Sequence, residues 1–290
     1  MPHALPQVCF ASLSVGAGTL NRVASDAVAT DRHPHGYQSP IDTAYDTLRV
    51  VTQVAASATP TWQPEHGLIL STSAVAAAED YFRSILTEVI ELCELCKQRA
   101  QPFETRMEFV FSGSVADALR GMLDRESFSS RENVLAWSKK VTGSDLGRAR
   151  SLNDALGEFE RVCHIRHAAI HAGGYLSTHN AKALGVPAGT WISFDSPKGI
   201  YEIISVVTAT IRSFNQVLFE QILTGWIADA ALKGVWTDDK DKFSSLWTAF
   251  SSTGDIDSDK AAGNGILKDT PYKAYLTVRK AVRARVVAGV

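Results

Sequence analysis

Cysteine is scarce in this chain, a basic excess is absent, and no long apolar run occurs. Four cysteines in 290 residues (Cys9, Cys93, Cys96 and Cys163) are too few and too scattered for a disulfide framework, and they suit a reducing compartment. The 29 basic residues are outnumbered by 31 acidic ones, a net charge of −2, which excludes a protein coated in positive charge. A local nucleic-acid site remains open, because such sites depend on where charge lies. Nothing approaches the run of about eighteen apolar residues that a membrane span needs. The first fifteen residues carry no Lys or Arg, so a secretory leader is not expected. These absences lead to the expectation of a soluble, cytoplasmic chain with no membrane contact. An apolar content of 45% with 21% charged residues excludes wholesale disorder.

Three regions differ in texture. Residues 1–70 hold six of the ten prolines and no sustained helical period. Val8-Cys9-Phe10 and the stretch 48–54 are expected to be strands, so this segment of unknown role is expected to be irregular and part-β. From about residue 72 the texture is helical. Phe82, Ile85, Val89, Leu92 and Cys96 recur at three- and four-residue steps, and Pro102 marks the end of that helix. Shorter helices are expected over 114–125 and 131–141, then a longer one from about 151 to 172, closed by Gly173-Gly174. Residues 185–199 read as a loop. Ile204, Val207, Ile211, Phe214, Leu218 and Ile222 then keep one apolar face for nearly six turns. Helices over 239–251 and 272–287 follow, separated by a Gly/Asp/Ser-rich loop at 253–265. The expected fold is an all-α bundle over 71–228, preceded by the segment 1–70 and extended by helices over 229–290.

One stretch concentrates chemistry. Between Glu160 and Gly174 lie three of the eight histidines and two arginines, inside an otherwise apolar helix. At 100° per residue, Glu160, His164, His167 and His171 fall within about 60° of one another. Val162, Ile165 and Ala169 lie on one side of that stripe, and Phe159, Cys163 and Ile170 on the other. Histidine takes or gives protons near neutral pH. Arginine presents a fixed fork of donors to a phosphate. His167 and His171 also have the spacing at which two imidazoles share a zinc ion, with His164 or Glu160 to complete it.

Arg166-His167-Ala168-Ala169-Ile170-His171, followed by glycines, resembles the Arg-x4-His motif of the HEPN family, in which a polar residue follows the arginine. The order of helices over residues 72–228 is similar as well. The resemblance implies a metal-independent endoribonuclease that acts as a homodimer, with paired motif helices forming a composite site and no cofactor. His171 would handle the proton of the ribose 2′-hydroxyl or the leaving oxygen, Arg166 would hold the scissile phosphate, and His167 would orient a neighbour or the phosphate. Products would be a 2′,3′-cyclic phosphate and a 5′-hydroxyl. A toxin or antiviral defence role, restrained by an antitoxin or regulatory protein partner, is part of the same implication. Arg161 with His167 is an overlapping match that the looser family pattern also admits. A non-catalytic HEPN-like module binding RNA, a nucleotide or a protein is the alternative.

Two further features stand outside the motif. Cys93-x-x-Cys96 has no second pair at zinc-site spacing and reads as buried helix packing. The segment 268–290 carries six basic residues against Asp269 alone. With Tyr272 and Tyr275 it could track an RNA backbone, or it could be solvated helix surface.

Overall fold

The computed structural model describes residues 38–103 and 115–288, which all belong to one compact unit. The expected strand at Val8-Cys9-Phe10 lies outside the described residues. Among the described residues there are eleven α-helices and no strand, so the fold is all-α.

Helix α1 (Pro40–Ala58) corrects the expectation of a strand over 48–54. Ser39 caps it by accepting from the Asp42 N–H at 3.3 Å, and proline occupies its first position. Ile41, Ala44, Leu48, Val51 and Ala55 are buried at helical steps. An alternating strand would bury Val50 and Val54 together with Leu48, yet these are 56% and 48% exposed. Helix α2 (Pro64–Leu92) also begins earlier than the apolar period suggests, and α1 packs along it.

The break after α2 is a second correction. The expected single helix to Pro102 divides at Cys93, whose φ of −112° and ψ of 111° are extended, and α3 (Glu94–Ala100) follows. Next come α4 (Val115–Leu123) and α5 (Arg131–Thr142), then the motif helix α6 (Arg150–Ala172). The short α7 (Thr178–Leu184) has no counterpart among the expected elements. Helix α8 (Lys198–Ala228) is the long apolar helix that the sequence announces, with Val207, Ile211, Phe214, Leu218 and Ile222 buried. Helices α9 (Trp236–Phe250), α10 (Thr253–Ala261) and α11 (Pro271–Ala288) complete the chain. Helix α10 stands in place of the expected loop, because Ser252 caps it through the Asp255 N–H at 3.0 Å.

The core is centred on α2, which packs against α1, α6 and α8. Phe82 of α2 lies at its middle. Its ring meets Phe214 of α8 at 4.9 Å, Phe159 of α6 at 5.8 Å and Phe128 at 6.1 Å between centroids. These mostly edge-to-face contacts favour aromatic packing. They fix the buried face of α6, so its opposite face is presented outward.

Glycine matters at one close approach. A Cβ on Gly67 would sit 2.2 Å from Cγ of Phe194, so only glycine lets the chain before α8 lie against α2. The Trp62 indole N–H donates to the Phe194 carbonyl at 2.6 Å and holds that segment in place.

Candidate functional site

Helix α6 ends as its sequence indicates. Gly173 adopts φ +57° and Gly174 φ +97°, and both N–H groups turn back to the Ala168 carbonyl. The chain then pairs Tyr175 with Trp191 in an isolated antiparallel bridge, with the Ile192 N–H donating to the Gly174 carbonyl at 2.8 Å. Below this corner, Ala168, Leu176 and Ala181 form a small apolar cluster of their own. The end of the motif helix is therefore braced by α7 and by the segment before α8.

His167 and His171 both face solvent, with ring centroids 4.7 Å apart. His164 is partly buried. Its Nδ1 lies within hydrogen-bond distance, 3.0 Å, of Oδ1 of Asn180. Its ring meets that of His179 at 5.2 Å. Desolvation holds the His167 imidazole below its ordinary proton affinity, followed by the charges of His171, His164, Arg166 and His179. The expected stripe is thus a cluster of four histidines, one of them supplied by α7.

Arg166 lies elsewhere on the helix. Its side chain is 27% exposed and its guanidinium pairs with Glu79 of α2 at 3.9 Å, while its buried Nε has no acceptor among the described residues. Glu79 is itself nearly buried and accepts from the Phe128 N–H at 3.3 Å. The structure thus brings His167 and His171 together and holds Arg166 on the flank towards α2. Five residues make about 1.4 turns, which separates Arg166 from His171 around the axis. Arg161 marks the other flank, paired with Glu158 at 3.6 Å and reaching the Leu184 carbonyl at 3.5 Å. Cys163 is buried, and burial pushes its thiol up, so it stays neutral inside the core. Ile170, which helical spacing groups with buried Phe159 and Cys163, is 45% exposed.

Sequence reasoning missed Glu79, His179 and Asn180. Glu79 carries a signal: it falls on the same helical face as Val75, Phe82 and Leu86, where a carboxylate requires a partner. Asn180 is placed by the Ser177 cap of α7, a helix too short to announce itself by periodicity. Among the described residues, no group of three His, Cys, Asp or Glu side chains is arranged to hold a metal ion. The zinc set considered from His164, His167, His171 and Glu160 is therefore not assembled.

The basic C-terminal helix contributes less than its composition suggests. Tyr275 is fully buried and donates to the Asp239 carboxylate, and Tyr272 packs edge-on against Trp236 at 5.2 Å. Tyr275 is thus a core residue. Lys273 is tied to Asp269 at 2.7 Å, whereas Lys280 and Arg283 are exposed. No helix among the described residues is long and apolar enough to cross a membrane.

The fold and site together define an all-α bundle with a solvent-facing histidine cluster at the end of one core helix. Comparison with family models, curated proteins and solved structures finds no match to this chain.

Proposed function

We propose that the chain is a metal-independent endoribonuclease of the HEPN type, acting as a homodimer. The observation that carries this reading is the exposed His167–His171 pair at the glycine-closed end of α6, with Arg166 on the flanking face. His171 moves the proton of the ribose 2′-hydroxyl or of the leaving oxygen. His167, whose proton affinity is lowered first by desolvation and then by the neighbouring charges, can donate at one ring nitrogen and accept at the other, which suits it to orienting the phosphate. Arg166 stabilises the charge that develops on the phosphate, competing with Glu79 for its guanidinium. RNA carries its own nucleophile, so an acid–base group and a cation suffice without a metal.

A second copy supplies the opposing motif helix. Tyr175 and Trp191, 44% and 63% exposed beside this helix end, offer aromatic faces to unpaired bases. The effector role, as a toxin or antiviral defence protein held by a partner, belongs to the same proposal.

The test is RNA cleavage by the purified chain in EDTA, beside Arg166→Ala and His171→Ala. Cleavage to cyclic-phosphate ends, lost in both folded variants, is the expected result. Unchanged cleavage by His171→Ala removes the assignment. A second reading, a non-catalytic RNA-binding bundle, is favoured by one feature, the Arg166–Glu79 pair that ties the guanidinium inward. That reading predicts RNA binding by the wild type without turnover.

A further inference from the structure

A cleft of about 380 Å³ lies between α1, α8, the end of α9, α10 and the chain leading to α11, and it shares no residue with the histidine cluster. Ile41, Phe250 and Ile256, all buried, build its apolar wall, joined by the half-exposed Leu267. Trp247 completes that wall and is itself only half-buried. Among the described residues it is the one tryptophan of six whose ring meets no other ring and no cation. Its carbonyl accepts from the Ser251 hydroxyl at 2.6 Å, but its indole N–H has no acceptor among the described residues.

The polar side of the cleft is arranged around Arg212. Tyr45 of α1 accepts from its Nε at 2.6 Å, and Asp255 of α10 accepts from its Nη2. Two anchors on different helices fix the plane of the guanidinium, and its Nη1 has no acceptor among the described residues. Lys268 is exposed and unpaired, because the neighbouring acid, Asp269, is taken by Lys260 at 3.7 Å and Lys273 at 2.7 Å. The main acceptors of the lining are already engaged. Asp255 also receives the Tyr45 hydroxyl at 3.1 Å, Asn215 Oδ1 accepts from the Tyr81 hydroxyl at 3.0 Å, and Ser252 Oγ accepts from the Asp255 N–H at 3.0 Å. The charged lining is two cations against one carboxylate. A structural staple between α1, α8 and α10 accounts for the anchors on Arg212. It leaves the bare Trp247 ring and the unpaired Lys268 at the same opening without a role.

We infer that this cleft binds a small aromatic carboxylate, with its ring against Trp247 and its carboxylate between Arg212 and Lys268. Apolar walls and an unstacked indole favour a planar ring. Spare donors beside engaged acceptors call for a group that only accepts, and a carboxylate accepts at both oxygens from two cations. The volume falls within the range of about 300–1,000 Å³ usual for small-ligand sites. The inference stands apart from the ribonuclease reading.

The experiment titrates the full chain with 4-nitrobenzoate at pH 7.5 by calorimetry, beside 4-nitrobenzyl alcohol, which keeps the ring and lacks the charge. The acid should bind at one site per chain, about ten-fold or more tighter than the alcohol. Lys268→Ala should weaken the acid about three- to ten-fold and leave the alcohol unchanged. Because Lys268 is exposed and unpaired, this substitution preserves the fold. The nitro group quenches an indole that it touches, so tryptophan emission should fall saturably with the acid. Trp247→Phe should keep the binding heat and lose that quenching, which places the ring in this cleft rather than at the histidine cluster. No binding of the acid at millimolar concentration overturns the inference. So do equal affinities for acid and alcohol, an unchanged affinity in Lys268→Ala, or quenching that survives Trp247→Phe.

Discussion

The Arg166–Glu79 pair links the stability of the bundle to its candidate site, and a double-mutant cycle measures it. At 3.9 Å, two unit charges attract by about 4 kcal/mol at an effective dielectric of about 20. Desolvation of both groups opposes this, and the Arg166 side chain remains about a quarter exposed, which weakens the pair relative to a fully buried one. A coupling of about 1.5–3 kcal/mol is the resulting expectation. Glu79→Ala should cost slightly more than Arg166→Ala, because Glu79 also accepts the Phe128 N–H. Urea denaturation of wild type, both single variants and the double variant yields the coupling directly. A coupling below about 0.5 kcal/mol would refute the geometry, leaving Arg166 as a solvated side chain. The same variants bear on function: Glu79→Gln frees the guanidinium and should tighten binding of an RNA oligonucleotide several-fold, whereas Arg166→Ala should weaken it.

The His167 imidazole should titrate below its ordinary midpoint of about 6.5, and His171→Ala should move that midpoint up; NMR of the ring protons checks both. Because folding lowers this proton affinity, the contribution of His167 to stability is full above the unfolded-state value and falls as pH drops through it, so an opposite slope would contradict the placement. Tyr275→Phe removes the hydroxyl bound to the Asp239 carboxylate, which keeps the Lys233 and Gly234 N–H groups at 2.8 Å each. A loss of about 1–2 kcal/mol is expected in urea, and a neutral result would mean that the hydroxyl faces water. Gly67→Ala drives a methyl group into the Phe194 ring and should cost about 1–3 kcal/mol, with protease sensitivity rising in residues 185–197. Unchanged stability there would place Phe194 off the face of α2.

Periodicity makes the strong helices legible in the amino-acid sequence. In α8, apolar residues from Ile204 to Ile222 recur on one face, and each of them is buried except Ile204, which is only half-buried. The Gly173-Gly174 stop of α6 is legible for a local reason, since only a left-handed residue lets the chain turn there. Helix α1 imitates a strand because Leu48, Val50 and Val54 mimic alternation, while the burying residues Ala44, Val51 and Ala55 are small or interleaved. Helices α7 and α10 leave no periodic signature because seven and nine residues are too few to express a stripe.

The sequence by itself determined which residues could share a helix face, because that depends on spacing along one element. It therefore placed Glu160, His164, His167 and His171 on one stripe. Tertiary structure alone decided what each of them meets. Glu79 reaches Arg166 from α2, Asn180 reaches His164 from α7, and Trp226 of α8 shares a cavity wall with Cys93. It also sent Tyr275 into the core, away from the basic surface its neighbours suggest. The physical reason is common to all four. Helix formation is settled by neighbours within a few positions, whereas the partner of a buried charge, imidazole, sulfur or hydroxyl is whichever polar group the packing of distant helices brings within reach.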